Sequence, residues 1–146
     1  MPINIKKCDG DIGIIIESRD RVTDQELIDS LEKLLTHEKE KFKACKYILI
    51  DHSSLTSLKI TDETVDYISG LVKGASSFNP DAILAMVVYV SYGANIDLID
   101  RMSQMRELFM NRSCWESLQF KTRPYAVRWI KEKVNDKFGI DDLTFS

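Results

Sequence analysis

YILIDHSSLTSLKITD, residues 47–62, is the stretch whose reading decides the fold. Tyr47-Ile48-Leu49-Ile50 is a continuous apolar run, the pattern of a strand covered on both faces. Asp51 ends that strand in this reading. A polar loop, Asp51–Ile60, follows and carries Ser53, Ser54, Thr56 and Ser57. Thr61 then caps a helix whose first turn holds Asp62 and Glu63 at the positive end of its dipole. A buried strand that runs through a polar loop into a capped helix is the edge at which open α/β sheets collect ligands.

Working outward toward the N-terminus, Ile3 and Ile5 alternate with polar neighbours, and Cys8-Asp9-Gly10 is a turn signal. Ile12–Ile16 reads as a second strand closed by Glu17, so the chain opens on a hairpin. Thr23-Asp24-Gln25-Glu26 is a capping box. Leu27, Ile28, Leu31, Leu34 and Leu35 then recur at helical spacing, predicting one helix to about Phe42. Its charged end leaves His37 as a surface residue. Beyond the central stretch, Val65, Ile68, Leu71 and Val72 form a buried stripe that Gly74 is expected to terminate.

Ala82–Val90 is the most apolar strand and reads as the sheet's centre. Ser91-Tyr92-Gly93-Ala94 is its exit, and Asn95 caps a long helix with Ile96, Ile99, Met102, Met105 and Phe109 along one stripe. Trp115–Phe120 reads as the last strand. Thr122 caps the last helix, with Pro124 in its first turn, where the missing amide costs nothing. Ala126, Val127, Trp129, Ile130 and Val134 face inward. The order β-β-α-β-α-β-α-β-α predicts a mixed, mostly parallel five-stranded sheet with four main helices. Residues 1–138 form a single domain, and 139–146 form an acidic tail expected to fray.

The chain has 146 residues, enough for one sizeable core, and 44% of them are apolar. Its net charge of −3 gives no global attraction to nucleic acid. Residues 99–137 hold nine Lys/Arg against five Asp/Glu, a mildly basic third read as solvated helix surface. Cys8, Cys45 and Cys114 are scattered, with no CxxC pair. Free thiols and a reducing compartment follow, with neither disulfides nor zinc. The N-terminal residues lack an uninterrupted apolar run, so no signal peptide is expected. Ala82–Val90 is too short to span a bilayer. Cytoplasmic placement is the expectation, and no integral membrane segment is expected.

Catalytic signatures are missing from the sequence. Asp51-His52-Ser53 does not make a triad, because consecutive residues on an extended chain point to alternate sides. There is no phosphate-binding glycine loop and no dinucleotide fingerprint, so no cofactor is expected. Two histidines and three isolated cysteines give no metal spacing. The signal that remains is hydroxyl density beside helix N-termini. Ser53, Ser54, Thr56, Ser57 and Thr61 either satisfy backbone groups in a tight loop or accept phosphate. The expected functional edge is the Asp51–Ile60 loop beside Ser91–Asn95. Its candidate ligand- or partner-binding residues are Asp51, His52, Ser53, Ser54, Thr56, Thr61, Tyr92, Gly93, Asn95 and Met102. Ser53, Ser54 and Thr61 are the candidate phosphorylation sites. An apolar cleft lined by Met102, Met105, Phe109 and Trp129 is the alternative, and a homodimer through Trp115 or Phe145 is a further option.

Four stretches carry a family resemblance. They are Val22-Thr23-Asp24-Gln25-Glu26-Leu27 after the hairpin, the strand end Leu49-Ile50-Asp51, Tyr92-Gly93 with Arg101-Met102, and Phe120-Lys121-Thr122 with Ala126-Val127-Arg128-Trp129-Ile130. Together they resemble the STAS domain over nearly the whole chain, and more closely the SpoIIAA-like bacterial proteins, a grouping that also invokes the lipid-binding CRAL-TRIO fold. The resemblance implies a non-enzymatic regulatory module that binds a protein partner, or a carrier of a small apolar or anionic ligand. Anti-sigma factor antagonists carry Asp-Ser-Ser/Thr-Gly at the start of the second helix, where a kinase phosphorylates the serine. The corresponding stretch here is Lys59-Ile60-Thr61-Asp62. It lacks the serine and the glycine and places Thr61 within a residue of the acceptor.

Overall fold

The computed structural model describes residues 2–89 and 95–146. Five strands, β1 (Ile3–Cys8), β2 (Gly13–Thr23), β3 (Tyr47–Lys59), β4 (Ile83–Val87) and β5 (Glu116–Phe120), lie in the order β1-β2-β3-β4-β5. β1 runs antiparallel to β2, and every other pair is parallel. The helices are α1 (Asp24–Glu32), α2 (Lys39–Phe42), α3 (Asp62–Phe78), α4 (Ile96–Met110) and α5 (Arg123–Phe138), with a π-helical turn at Lys33–His37. This is the mixed α/β architecture expected.

Alternation along the strands divides the core in two. Ile14, Ile16, Ile48, Ile50, Leu84 and Met86 face α1–α4, where Leu31, Ile68, Val72 and Met105 meet them. Ile15, Tyr47, Leu49, Ile83, Ala85 and Val87 face α5 and its Ala126, Ile130 and Val134. β4 is buried along its whole length because β3 and β5 flank it and helices cover both faces, but the centre of the sheet is β3 and not, as expected, the Ala82–Val90 strand. Only Gly fits at position 13, because a Cβ there would meet the Tyr47 ring at 1.9 Å.

Four expectations are corrected. The strands do not close at Glu17 and Asp51. β2 continues to Thr23 and β3 to Lys59, paired through two register shifts. Val22, Leu55 and Leu58 are buried along that extension and hold it down against the α1–α4 side. The first helix is not continuous. The amide of Glu38 reaches back to the Lys33 carbonyl at 3.0 Å, the wide turn absorbs an extra residue, and Leu34 and Leu35 both stay buried. α3 passes through Gly74 and ends at Asn79, which is followed by Pro80. Asn79 is itself buried, donating to the carbonyls of Phe42 and Cys45, both at 2.9 Å.

The C-terminal tail is docked rather than frayed. The Asp9 carboxylate accepts from the Tyr47 hydroxyl at 2.6 Å, the Thr144 amide at 2.8 Å and the Phe145 amide at 3.1 Å. Leu143 is buried, and the Phe145 ring packs 4.8 Å from that of Tyr47. Burial works against the Asp9 charge, but these hydrogen bonds outweigh it and hold the carboxyl below its usual range. Trp115 is buried and Phe145 half-buried, so neither is the exposed apolar side chain expected for self-association.

Candidate functional site

Among the described residues β4 pairs with β3 only as far as Asp51, while β2 and β3 stay paired beyond it as an overhang to Thr23 and Lys59. Asp51 and His52 stand at its root and point to opposite faces. Asp51 lies on the α5 side. Its Oδ1 accepts from the Ser53 amide at 2.9 Å and hydroxyl at 2.6 Å, and its Oδ2 lies 3.5 Å from the Arg123 guanidinium. The same guanidinium sits 3.4 Å from Glu17, so one cation serves two carboxylates in register on neighbouring strands.

His52 lies on the other face and is 6% exposed. Neither of its ring nitrogens has a hydrogen-bond partner among the described residues. Burial disfavours the imidazolium and pulls its pKa down to about 4, against a weaker upward pull from the Asp51 charge. The ring is therefore neutral near pH 7. As separated groups, Asp51 and His52 form no acid–base pair.

Along the overhang, Ser53, Ser54, Thr56 and Lys59 are exposed, and Ser57 is half-buried. The Thr56 hydroxyl donates to the Asp20 carbonyl at 3.0 Å, across the ribbon. The strand then ends at Thr61, whose extended backbone and side chain cap α3. Its hydroxyl accepts from the Thr64 amide at 3.2 Å. The Thr61 amide donates to Asp24 Oδ1 at 2.8 Å, and its hydroxyl lies 3.4 Å from the same oxygen. Hydrogen bonds from Thr64 and Thr61 hold the Asp24 carboxyl below its usual range. One exposed threonine thus joins the starts of α1 and α3.

α4 completes the edge. Asn95 caps it, accepting from the Asp97 amide at 2.7 Å. From its second turn Arg101 donates to Asp62 at 2.8 Å and to Gln104 at 2.7 Å, tying α4 to the start of α3. A groove of about 570 Å³ opens between the end of β3 and the N-termini of α1, α3 and α4. Asp24, Leu58, Lys59, Ile60, Asp97 and Asp100 are among its walls. A second hollow of about 480 Å³ shares Asp62 and Gln104 with it and continues between α3 and α4 to Arg112.

The structure therefore strings Ser53, Ser54 and Thr56 along the overhang and sets Thr61 and Asn95 as helix caps beyond its end. Met102 is not among them, being buried in the core beneath α4. Tyr92 and Gly93 lie outside the described residues. The cleft expected from Met102, Met105, Phe109 and Trp129 does not form. The first three are core on the α4 face, whereas Trp129 packs on Phe120 on the α5 face, ring centres 5.7 Å apart. Ile96 is exposed, and Leu98 takes its place in the buried stripe. Sequence reading missed Asp24, Asp97, Asp100 and Arg101 as parts of the edge. Each is ordinary by itself, and only the meeting of three helix starts makes them neighbours. Among the described residues, no group of three or more His, Cys, Asp or Glu is placed to hold a metal ion, and no helix is long and apolar enough to cross a membrane.

The sequence matches no protein-family profile and no curated protein. Solved structures do match. The anti-sigma factor antagonist SpoIIAA, in its unphosphorylated form, superposes with a TM-score of 0.55 at 9% identity, over 88% of this chain and 96% of that one. An uncharacterized protein of the DUF3478 family with a SpoIIAA-like fold, from Shewanella loihica PV-4, gives a TM-score of 0.47 at 18% identity, over 88% and 91%. The chain thus has a SpoIIAA-like fold.

Proposed function

We propose that the chain is a non-enzymatic regulatory module that binds a protein partner at residues 51–62, with phosphate on Thr61, Ser53 or Ser54 as its switch. The contact of the exposed Thr61 with Asp24 carries this reading. A phosphate on Thr61 brings about two negative charges against the Asp24 carboxylate while remaining favoured by the α3 N-terminus. The clamp between α1 and α3 then opens, and the shape and charge of the edge change together. SpoIIAA is an anti-sigma factor antagonist described in an unphosphorylated form, and the proposal carries that manner of regulation to this chain. An enzymatic role for Asp51 and His52 has no support in their opposed orientation.

The test is intact-mass and peptide analysis of protein purified from its own host, followed by partner capture. Phosphate is expected on Thr61, Ser53 or Ser54. A captured partner should bind the Thr61→Ser variant and be lost with Thr61→Glu. Equal capture by both variants would contradict the switch.

One observation favours a second reading, a carrier of a small amphipathic anion. A hollow of about 330 Å³ between β1 and the first helix has Ile5 and Leu34 in its walls, with Ser30, Lys33 and the Lys7–Glu38 ion pair around them. A non-covalent mass lost on denaturation, and abolished by Leu34→Arg, would select this reading.

A further inference from the structure

The segment that follows α5 is held differently from the rest of the fold. Gly139 closes α5 in the left-handed conformation, at φ 70°, and its amide donates to the Asn135 carbonyl at 2.8 Å. Asp141 and Asp142 are exposed beyond it. Leu143 and Phe145 then pack into the α5-side core, the Phe145 ring 4.8 Å from that of Tyr47. Tyr47 opens β3, so this contact lies at the opposite end of the strand from the 51–62 edge.

One residue fastens the segment. Asp9 Oδ1 accepts from the Thr144 amide at 2.8 Å and the Thr144 hydroxyl at 3.0 Å. Its Oδ2 accepts from the Phe145 amide at 3.1 Å and the Tyr47 hydroxyl at 2.6 Å. In return the Asp9 amide donates to the Ser146 carbonyl at 2.9 Å. Thr144, Phe145 and Ser146 are thus all tied to Asp9. Apart from Tyr47, every donor to the carboxylate belongs to the segment, and all of them are neutral.

Both sides of this clasp are bent. Asp9 sits at φ 54° and Phe145 at φ 61°. Asp tolerates the left-handed region because its short side chain bonds locally. A bulky aromatic residue occupies that region only where its surroundings over-determine it. The clasp therefore holds Phe145 in a backbone conformation that relaxes once the segment lifts.

We infer that residues 140–146 form a strap that opens as a unit about Gly139 while the sheet stays folded, with Asp9 as its latch, and that opening it uncovers the Tyr47 ring. Ordinary core packing would let the segment go only with the sheet. Concentrating its polar ties on one residue, against a strained Phe145, favours local opening instead. The device stands apart from the Thr61 switch, at the other end of β3.

Native-state hydrogen exchange of the full chain tests this. The Thr144 and Phe145 amides are expected to exchange through an opening that responds weakly to added urea, whereas those of Ile15 and Leu49 follow the full unfolding slope. Equal rates and slopes for the two sets would overturn opening as a unit. Asp9→Asn keeps the side chain's size and suits the left-handed turn, but leaves one acceptor oxygen in place of two. It should lower protection at Thr144 and Phe145 at least about tenfold, with Leu49 still the slower to exchange. Unchanged protection there would remove Asp9 as the latch. In the same variant a soluble paramagnetic probe should broaden the Tyr47 ring signals, which it leaves sharp in the wild type, where Tyr47 is fully buried. Sharp Tyr47 signals beside an unfastened strap would overturn the uncovering. Should the variant fail to fold, the wild-type urea series decides the unit opening by itself.

Discussion

From Tyr47 to Asp51, β3 has β2 on one side, β4 on the other and helices over both faces. From His52 to Lys59 its one strand neighbour among the described residues is β2, with Leu55 and Leu58 turned inward and Ser54, Thr56 and Lys59 exposed. One strand therefore serves two purposes. Its first half is fixed by four sets of neighbours and can only be core. Its second half is held, among the described residues, by one strand and one face, and its other face carries exposed hydroxyls. The difference teaches that a polar, hydroxyl-rich stretch can continue a buried strand as strand rather than as loop, held by its neighbour β2 and by Leu55 and Leu58.

The comparison breaks most visibly with truncation of the first half. Leu49→Ala should cost about 2–5 kcal/mol of stability, read as a lower denaturation midpoint in urea. Thr56→Ala, in the second half, should stay within about 0.5 kcal/mol. Equal losses would mean that the overhang supports the fold as strongly as the core does.

His52 stands at the junction and gives the next effect, through pH. Its folded-state value of about 4 lies below the ordinary 6.5, so the unfolded chain binds the proton first. Stability contributed by this site is therefore full above pH 6.5 and falls as pH drops from there toward 4. The total loss is about 3 kcal/mol. His52→Leu should flatten that part of the stability profile between pH 6.5 and 4, and an unchanged slope would contradict the buried, neutral ring.

Smaller effects sharpen the end of the overhang. Thr61→Ala removes the α3 cap and should cost about 1 kcal/mol, with Thr61→Ser restoring most of it. Arg101→Ala breaks an ion pair whose Asp62 side chain is 85% exposed, so the loss should stay below about 1 kcal/mol and shrink with added salt. Thermal unfolding at two ionic strengths separates these two cases.

How much of this is legible depends on what each residue type says locally. Tyr47–Ile50 and Ala82–Val87 announce buried strands by being apolar on both faces, and Thr61 and Asn95 announce helix starts because capping is a local interaction. The overhang is hidden because Ser53, Ser54, Thr56 and Ser57 look like loop. The contrary signal is the spacing of Leu55 and Leu58, matched by Val22 on the neighbouring strand. Two register shifts blur its two-residue period. The tail misleads because Asp141 and Asp142 dominate its charge, whereas Leu143 and Phe145 decide its packing. The Asp24–Thr61 contact and the nearness of Asp97 and Asp100 to it depend on three helix starts meeting, and nothing in the spacing of those residues along the chain encodes that.

The central claim, that the second half of β3 and the start of α3 form the partner surface, is tested most directly by hydrogen exchange on the chain alone and in complex with its captured partner. Amides of Ile48–Ile50 should be protected in both states. Those of Ser54–Thr61 should gain protection only in the complex. Protection that appears instead around Ile5, Ser30 and Leu34, with Ser54–Thr61 unchanged, would contradict the account and move the functional surface to the opposite end of the first helix.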